Sequence, residues 1–120
     1  MKKINIIKSN RDFDRIISNN KSYKYKDFII YVEKNNDSIY HFGFSVSKKI
    51  CNAVGRNKIK RQIKNILDKN IYQNGFNCII IVRRGILNKN FSEIEKELIE
   101  CLSNLNIIKG DNKWKKEYLK

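Results

Sequence analysis

The sequence predicts an α+β protein, an α/β sandwich with helices packed on one face of a sheet. Three observations carry this expectation. In two long segments, Ala53–Lys69 and Asn90–Leu105, apolar residues recur every three or four positions, as on one side of a helix. Ile39–Ser47 alternates: Tyr40, Phe42, Phe44 and Val46 point one way, Ile39, His41, Gly43, Ser45 and Ser47 the other. "FNCIIIVRR", Phe76–Arg84, is a continuous apolar run between turn signals, as in a buried strand.

Taken in order, Ser9 and Asp12 form a Ser-x-x-acid capping pair. They open a short helix, "NRDFDRIISN", with Phe13, Ile16 and Ile17 on one face. "YKYKDFIIYVEK", Tyr23–Lys34, is rich in β-branched and aromatic residues and reads as a strand. Asn35–Ser38 is a turn, and the alternating strand follows. Asn52 is the N-cap of the middle helix. Asn74-Gly75 breaks the chain before the buried strand, and Gly85–Lys89 is a loop. In the last helix Ile94, Leu98, Cys101, Leu102 and Leu105 face the core, Ser92 and Glu95 form a capping box, and Glu93, Glu95, Glu97 and Glu100 are its solvated face. The element order is helix, two strands with a third strand or long strand continuation, helix, strand, helix.

A length of 120 residues points to one domain able to hold a core without metal or disulfide. The expected division is a single α/β domain over 1–108 and a mobile basic tail over 109–120, in which Trp114 makes no more than a loose hydrophobic contact. No stretch approaches the length of a membrane span, and the apolar run near the N-terminus is too short and interrupted for a signal peptide. Cys51, Cys78 and Cys101 match no zinc or disulfide spacing, which points to reduced thiols in the cytoplasm.

The net charge is +14. At this size that predicts a polyanionic partner, nucleic acid before anionic membrane. The excess is unevenly placed: +4 over Met1–Asp37, +7 with no acid over Ser38–Leu67, and +3 over Asp68–Lys120. Half of it therefore lies in a quarter of the chain. On a helical wheel Ile59, Ile63, Ile66 and Leu67 fall within one arc, and Arg56, Asn57, Lys60, Arg61 and Lys64 occupy the opposite one. Lys48 and Lys49 precede the helix and add to the same field. Arg56, Lys60 and Lys64 repel one another at i, i+4, and no acid supports them before Asp68. Phosphates would reverse that repulsion through counterion release. This points to a helix-presented nucleic-acid binder and leaves RNA and DNA both open.

"FGFSVSKKICNAVGRNKIKRQIKNIL" resembles the signature of the protein subunit of bacterial ribonuclease P: a Gly-x-Ser-Val-Ser-Lys-Lys strand end, an Asn-Ala-Val turn and an Arg-Asn-Arg-x-Lys-Arg helix. The resemblance spans roughly Lys2 to Leu105, with "DFDRII", "FIIYV" and "CIIIVRRG" in agreement. It implies a mixed sheet packed by helices, similar to domain IV of elongation factor G, with a left-handed βαβ crossover. It also implies the activity, endonucleolytic removal of the 5′ leader of precursor tRNA, with the chemistry in the RNA subunit. Mg²⁺ would be held mainly by that RNA and the substrate. No membrane, organic cofactor or protein oligomer is implied.

Carried over by position, the contacts to the RNA subunit would be Lys48, Lys49, Arg56, Asn57, Lys58, Lys60, Arg61 and Lys64. The leader cleft would use Phe13 and Tyr31. The residues themselves point to the same cleft: Gly43, Ser45 and Ser47 leave a small-residue floor beside Tyr31, suited to a single strand of nucleic acid. Two positions depart from the family pattern. Lys58 replaces its second Arg, which keeps charge and loses planar bidentate bonding. Ile17 stands where relatives carry an aromatic, which removes a stacking partner.

No residue set supports catalysis by the chain itself. His41 is the one histidine, at an exposed-face strand position suited to a polar surface or RNA contact. The acids show no two-metal arrangement, and there is no phosphate-cradling glycine loop. The alternative reading is a non-catalytic RNA-binding module such as a ribosomal or RNA-chaperone protein; a duplex-DNA reader and a peripheral membrane protein are weaker rivals.

Overall fold

In the computed structural model, which describes residues 1–109, the strands Ser22–Tyr25 (β1), Phe28–Lys34 (β2), His41–Val46 (β3) and Phe76–Val82 (β4) form one mixed sheet in the order β1-β2-β4-β3. The helices are α1 (Asn10–Asn19), α2 (Ala53–Asp68) and α3 (Phe91–Asn104), with 3-10 helices at Lys3–Asn5 and Arg84–Asn88. The α+β class is as the sequence predicts. β3 and β4 are parallel neighbours joined through α2, a βαβ unit. β4 also pairs with β2 antiparallel, so it is central and has an apolar neighbour on both sides. That explains its unbroken apolar run.

The alternation of β3 is realised. Phe42 and Val46 are buried and Phe44 packs against them, on the face covered by α2 and α3. Ile59, Ile63, Ile66 and Leu67 of α2 and Ile94, Leu98 and Leu102 of α3 close that core with Phe28, Ile30, Cys78, Ile80 and Val82. Each such side chain, fully buried, stabilises by about 1.5–3 kcal/mol. Asn52 caps α2 as expected, its side chain accepting from the Gly55 amide at 2.9 Å. Ser9 caps α1, accepting from the Asp12 amide at 3.4 Å.

Four expectations are corrected. Tyr23–Lys34 is a hairpin, with Tyr25 paired to Phe28 across a two-residue turn. Lys26 sits at φ 50°, a left-handed conformation that Gly or Asn would ordinarily announce. The cap of α3 is Asn90, which forms the reciprocal box with Glu93, so Ser92 and Glu95 are not the pair. The stretch read as a loop, Gly85–Lys89, is mostly taken up by a 3-10 helix, Arg84–Asn88. And helices lie on both faces of the sheet. Ile16 of α1 and Ile79 of β4 are fully buried, yet stand apart from the main core. They form a second, smaller contact on the opposite face, where Arg15 of α1 also pairs with Glu33 of β2 at 2.6 Å.

The three cysteines form no disulfide, and burial pushes the Cys101 thiol up to about 11. Among the described residues no helix is long and apolar enough to cross a membrane. The tail reading, Trp114 included, falls on residues 110–120, outside those described; Lys109 itself donates its amide to the Ile71 carbonyl at 2.7 Å.

Candidate nucleic-acid interface

The cationic ridge predicted on the middle helix is present on α2. Asn57, Lys58 and Arg61 are exposed, and Arg56, Lys60 and Lys64 are half-buried along one edge of the ridge. Among the described residues none of these cations, nor Lys48 or Lys49, makes an ion pair with an acid. Asp14 of α1 is an acid that shares their surface: it lines the same cleft as Lys60 and Lys64 without pairing with either. Arg56 folds back and donates to the Cys51 carbonyl at 2.9 Å, tying the helix to the turn before it. Lys48 and Lys49 are exposed in that turn.

The ridge is continuous with a cleft of about 580 Å³. Lys60 and Lys64 form one wall, Phe13 and Ile17 of α1 the other, and Ser45 with the neighbouring edge of β3 the floor. Ile7 and Lys8 close one end. This joins two groups that local spacing keeps separate, the basic helix and the aromatic cleft. The N-terminal segment carries no motif for it. It is placed by tertiary pairing alone: the Ile7 amide donates to the Phe42 carbonyl at 2.8 Å, at the outer edge of β3.

The floor differs from the expected one. Gly43 is buried, and its missing side chain makes room for the protein itself. A Cβ there would lie 2.7 Å from the Phe13 ring and 2.8 Å from Ile79 Cδ1. The open small residue is Ser45. Ser47 lies beyond the strand, exposed, its hydroxyl accepting from the Lys49 amide at 3.2 Å. Tyr31 is half-buried on the same sheet face as Phe13, paired through Ile79 of β4 with Gly43, and does not line this cleft. Phe13 and Tyr31 are thus on one surface but separated by the central strand.

His41 is more enclosed than its position on the alternating strand indicates. Its Nδ1 lies 2.8 Å from the Ile4 carbonyl and its Nε2 3.1 Å from Asp37, so its hydrogen bonds hold the N-terminal segment to β3. Glu33 is half-buried where it anchors α1. Burial works to raise its pKa, but hydrogen bonds from Arg15, Asn77 and Asn20 and the Arg15 charge outweigh that and hold it below the usual carboxylate range. The acids of α3 are not all solvated. Glu97 is buried and pairs with Lys89, and Glu100 accepts from the Tyr25 hydroxyl. No group of three or more His, Cys, Asp or Glu among the described residues is placed to hold a metal ion. Arg84 is a cation that local pattern does not flag, because it stands at the end of a buried strand. It reaches the basic turn, donating to the Lys49 carbonyl at 2.9 Å.

Residues 1–106 match the family model described as Ribonuclease P. The chain is 42% identical over 108 residues to the ribonuclease P protein component of Mycoplasma mycoides, covering 88% of this chain and 99% of that one. It is 37% identical over 110 residues to that of Streptococcus agalactiae, covering 90% and 100%. Among solved structures, the Staphylococcus aureus ribonuclease P protein superposes with TM-score 0.77 at 33% identity, over 86% of this chain and 96% of that one. The Thermotoga maritima ribonuclease P protein gives TM-score 0.72 at 26% identity, over 78% and 91%.

Proposed function

Since the chain belongs to the family of ribonuclease P protein components, we propose that it docks the catalytic RNA subunit on the α2 ridge and holds the 5′ leader of precursor tRNA beside α1. The observation that carries this reading is the continuity of ridge and cleft: Lys60 and Lys64 belong to both. One molecule can then grip a structured RNA and a single strand at adjoining surfaces. Arg61, Asn57 and Lys58 face outward toward the RNA subunit, with Lys48 and Lys49 at the end of the same ridge. The phosphates neutralise a cluster that repels itself in the free protein. Phe13 offers an aromatic wall to a leader base, and Ser45 leaves room beneath it.

The protein is the protein part of an endoribonuclease holoenzyme. In our reading the phosphodiester is cleaved by the RNA subunit, Mg²⁺ is held by that RNA and the substrate, and the work is done in the cytoplasm. The chain binds and orients. A cleavage assay with ribonuclease P RNA at low Mg²⁺, with and without the chain, tests this. The chain is expected to lower the Mg²⁺ requirement and to favour substrates that carry a leader. An unchanged Mg²⁺ dependence, with the chain sedimenting on ribosomes instead, would return it to the class of non-catalytic RNA-binding modules.

Tyr31 gives a finer test. Tyr31 lies outside the cleft on the same sheet face, so it contacts the leader only where the strand runs on across β4; on that reading Tyr31→Ala is expected to weaken precursor tRNA about 5- to 150-fold and mature tRNA hardly at all, since one stacked base contributes about 1–3 kcal/mol. Equal losses for both tRNAs would make Tyr31 a structural residue of the sheet face.

A further inference from the structure

The turn that presents Lys48 and Lys49 is anchored at its far end, where Ile50 and Cys51 pack against the core and Arg56 holds the Cys51 carbonyl, but Lys48 and Lys49 themselves stand exposed at its near end. Within it, the Ile50 amide donates to the Ser47 carbonyl at 3.1 Å and the Lys49 amide to the Ser47 hydroxyl at 3.2 Å. From a distant element, the described side chain that reaches it is Arg84, on the Lys49 carbonyl at 2.9 Å. Arg84 opens the 3-10 helix Arg84–Asn88, and that helix is held from beneath by the hairpin turn of β1 and β2. The Arg83 amide donates to the Asp27 carbonyl at 2.8 Å. Gly85 rests on the Asp27 carboxylate so closely that a Cβ would overlap it.

At the other end Lys89 donates its amide to the Ile86 carbonyl at 3.2 Å, and its ammonium sits between two carboxylates, Asp27 at 2.7 Å and Glu97 of α3. The three side chains, Lys89, Asp27 and Glu97, are only 24%, 15% and 5% exposed. For stability alone such a set is a poor device, because well-packed hydrophobic side chains of similar volume often do as well or better. What an ion set adds is direction: it specifies one arrangement of the segment it holds.

We propose that the Asp27–Lys89–Glu97 cluster positions the RNA interface. It fixes the 3-10 helix so that Arg84 holds the Lys49 carbonyl, and so sets how Lys48 and Lys49 meet phosphate. The inference rests on the docking face proposed above.

The test uses the complete chain and ribonuclease P RNA, with affinity measured from 50 to 200 mM salt and thermal midpoint measured alongside. Two variants are compared with the wild type: the apolar triple Asp27→Leu/Lys89→Met/Glu97→Met, and the surface change Arg84→Gln. The triple variant is expected to melt at or above the wild-type temperature, yet to bind RNA about 10-fold more weakly with an unchanged salt slope, because it removes no phosphate contact. Arg84→Gln is expected to show the same loss at the same slope. As the contrast, Lys49→Gln should flatten the slope by about 0.7–0.9, the share of one neutralised phosphate.

Wild-type binding by either folded variant would overturn the inference, and so would a flattened slope for Arg84→Gln, which would make Arg84 a direct phosphate contact. If the triple variant does not fold, Arg84→Gln decides alone. Lys60→Gln/Arg61→Gln, measured in parallel, separates the two levels. Normal binding by that double variant would mean that the docking face itself is wrong. Lost binding there, with the other two variants like the wild type, would mean that only the positioning role is wrong.

Discussion

Replacing Lys60 and Arg61 together with glutamine is expected to abolish holoenzyme assembly at moderate salt while leaving the protein folded. A hydrogen bond to a charged group contributes about 1.5–3 kcal/mol, so losing two lowers affinity about 100-fold or more. Stability should not suffer. Neither residue forms an ion pair among the described residues, and the buried face of α2 is built from Ile59, Ile63, Ile66 and Leu67. Removing Lys60 also relieves its repulsion from Arg56 and Lys64, a gain of a few tenths of a kcal/mol. The single variants should differ. Lys60 lines the cleft and Arg61 does not, so Lys60→Gln is expected to weaken the leader as well as the RNA subunit, and Arg61→Gln the RNA subunit alone. Assembly is read by RNA binding against salt. A double variant that assembles with the wild-type affinity and salt slope would remove the ridge from the interface.

Gly43→Val is expected to be the most damaging single change to the cleft. A branched side chain fits strands well, and on propensity alone the change would help by up to about 1 kcal/mol. Here the space is already filled. The Cβ position lies 2.7 Å from the Phe13 ring and 2.8 Å from Ile79 Cδ1, and Ile79 is fully buried on the central strand. The yielding element must be α1. Overpacking of this kind costs about 1–3 kcal/mol, more than propensity returns. Phe13 is then displaced from the wall it forms, so leader affinity should fall together with the denaturation midpoint. Glu33 and Arg15 would resist the shift, because their 2.6 Å contact ties α1 to β2. An unchanged midpoint in urea would show that Phe13 does not pack on Gly43.

Much of this protein could be read from local pattern. The strand β3 announces itself by alternation because one of its faces is in the core and the other is not. The helix α2 does so through its isoleucine spacing, and its start through Asn52. The cations of its outer face are legible for the same reason: a helix turns by a constant angle, so sequence spacing becomes surface geometry. The hairpin turn at Lys26-Asp27 was not legible, because neither residue carries the Gly or Asn signature of such turns. Glu97 reads as solvated from its charge, although its place on α3, three residues after Ile94 and four before Cys101, is at the edge of the apolar stripe. It is buried because Lys89 and Asp27 arrive from elsewhere in the chain. Asn90 and Ser92 were both chemically able to cap α3, and two residues is within the ordinary uncertainty of a helix start.

By itself, then, the sequence determined the classes of its elements, the faces they bury, and the concentration of positive charge on one helix. These follow from periods of two and of 3.6 residues, and such periods act over short range. Only the tertiary structure decided that α1 crosses to the far face of the sheet, that Phe13 fills the space above Gly43, and that Lys60 and Lys64 meet Phe13 and Ser45 across one cleft. Those contacts join segments tens of residues apart. Their geometry depends on the pairing of β4 between β2 and β3, which no local spacing encodes.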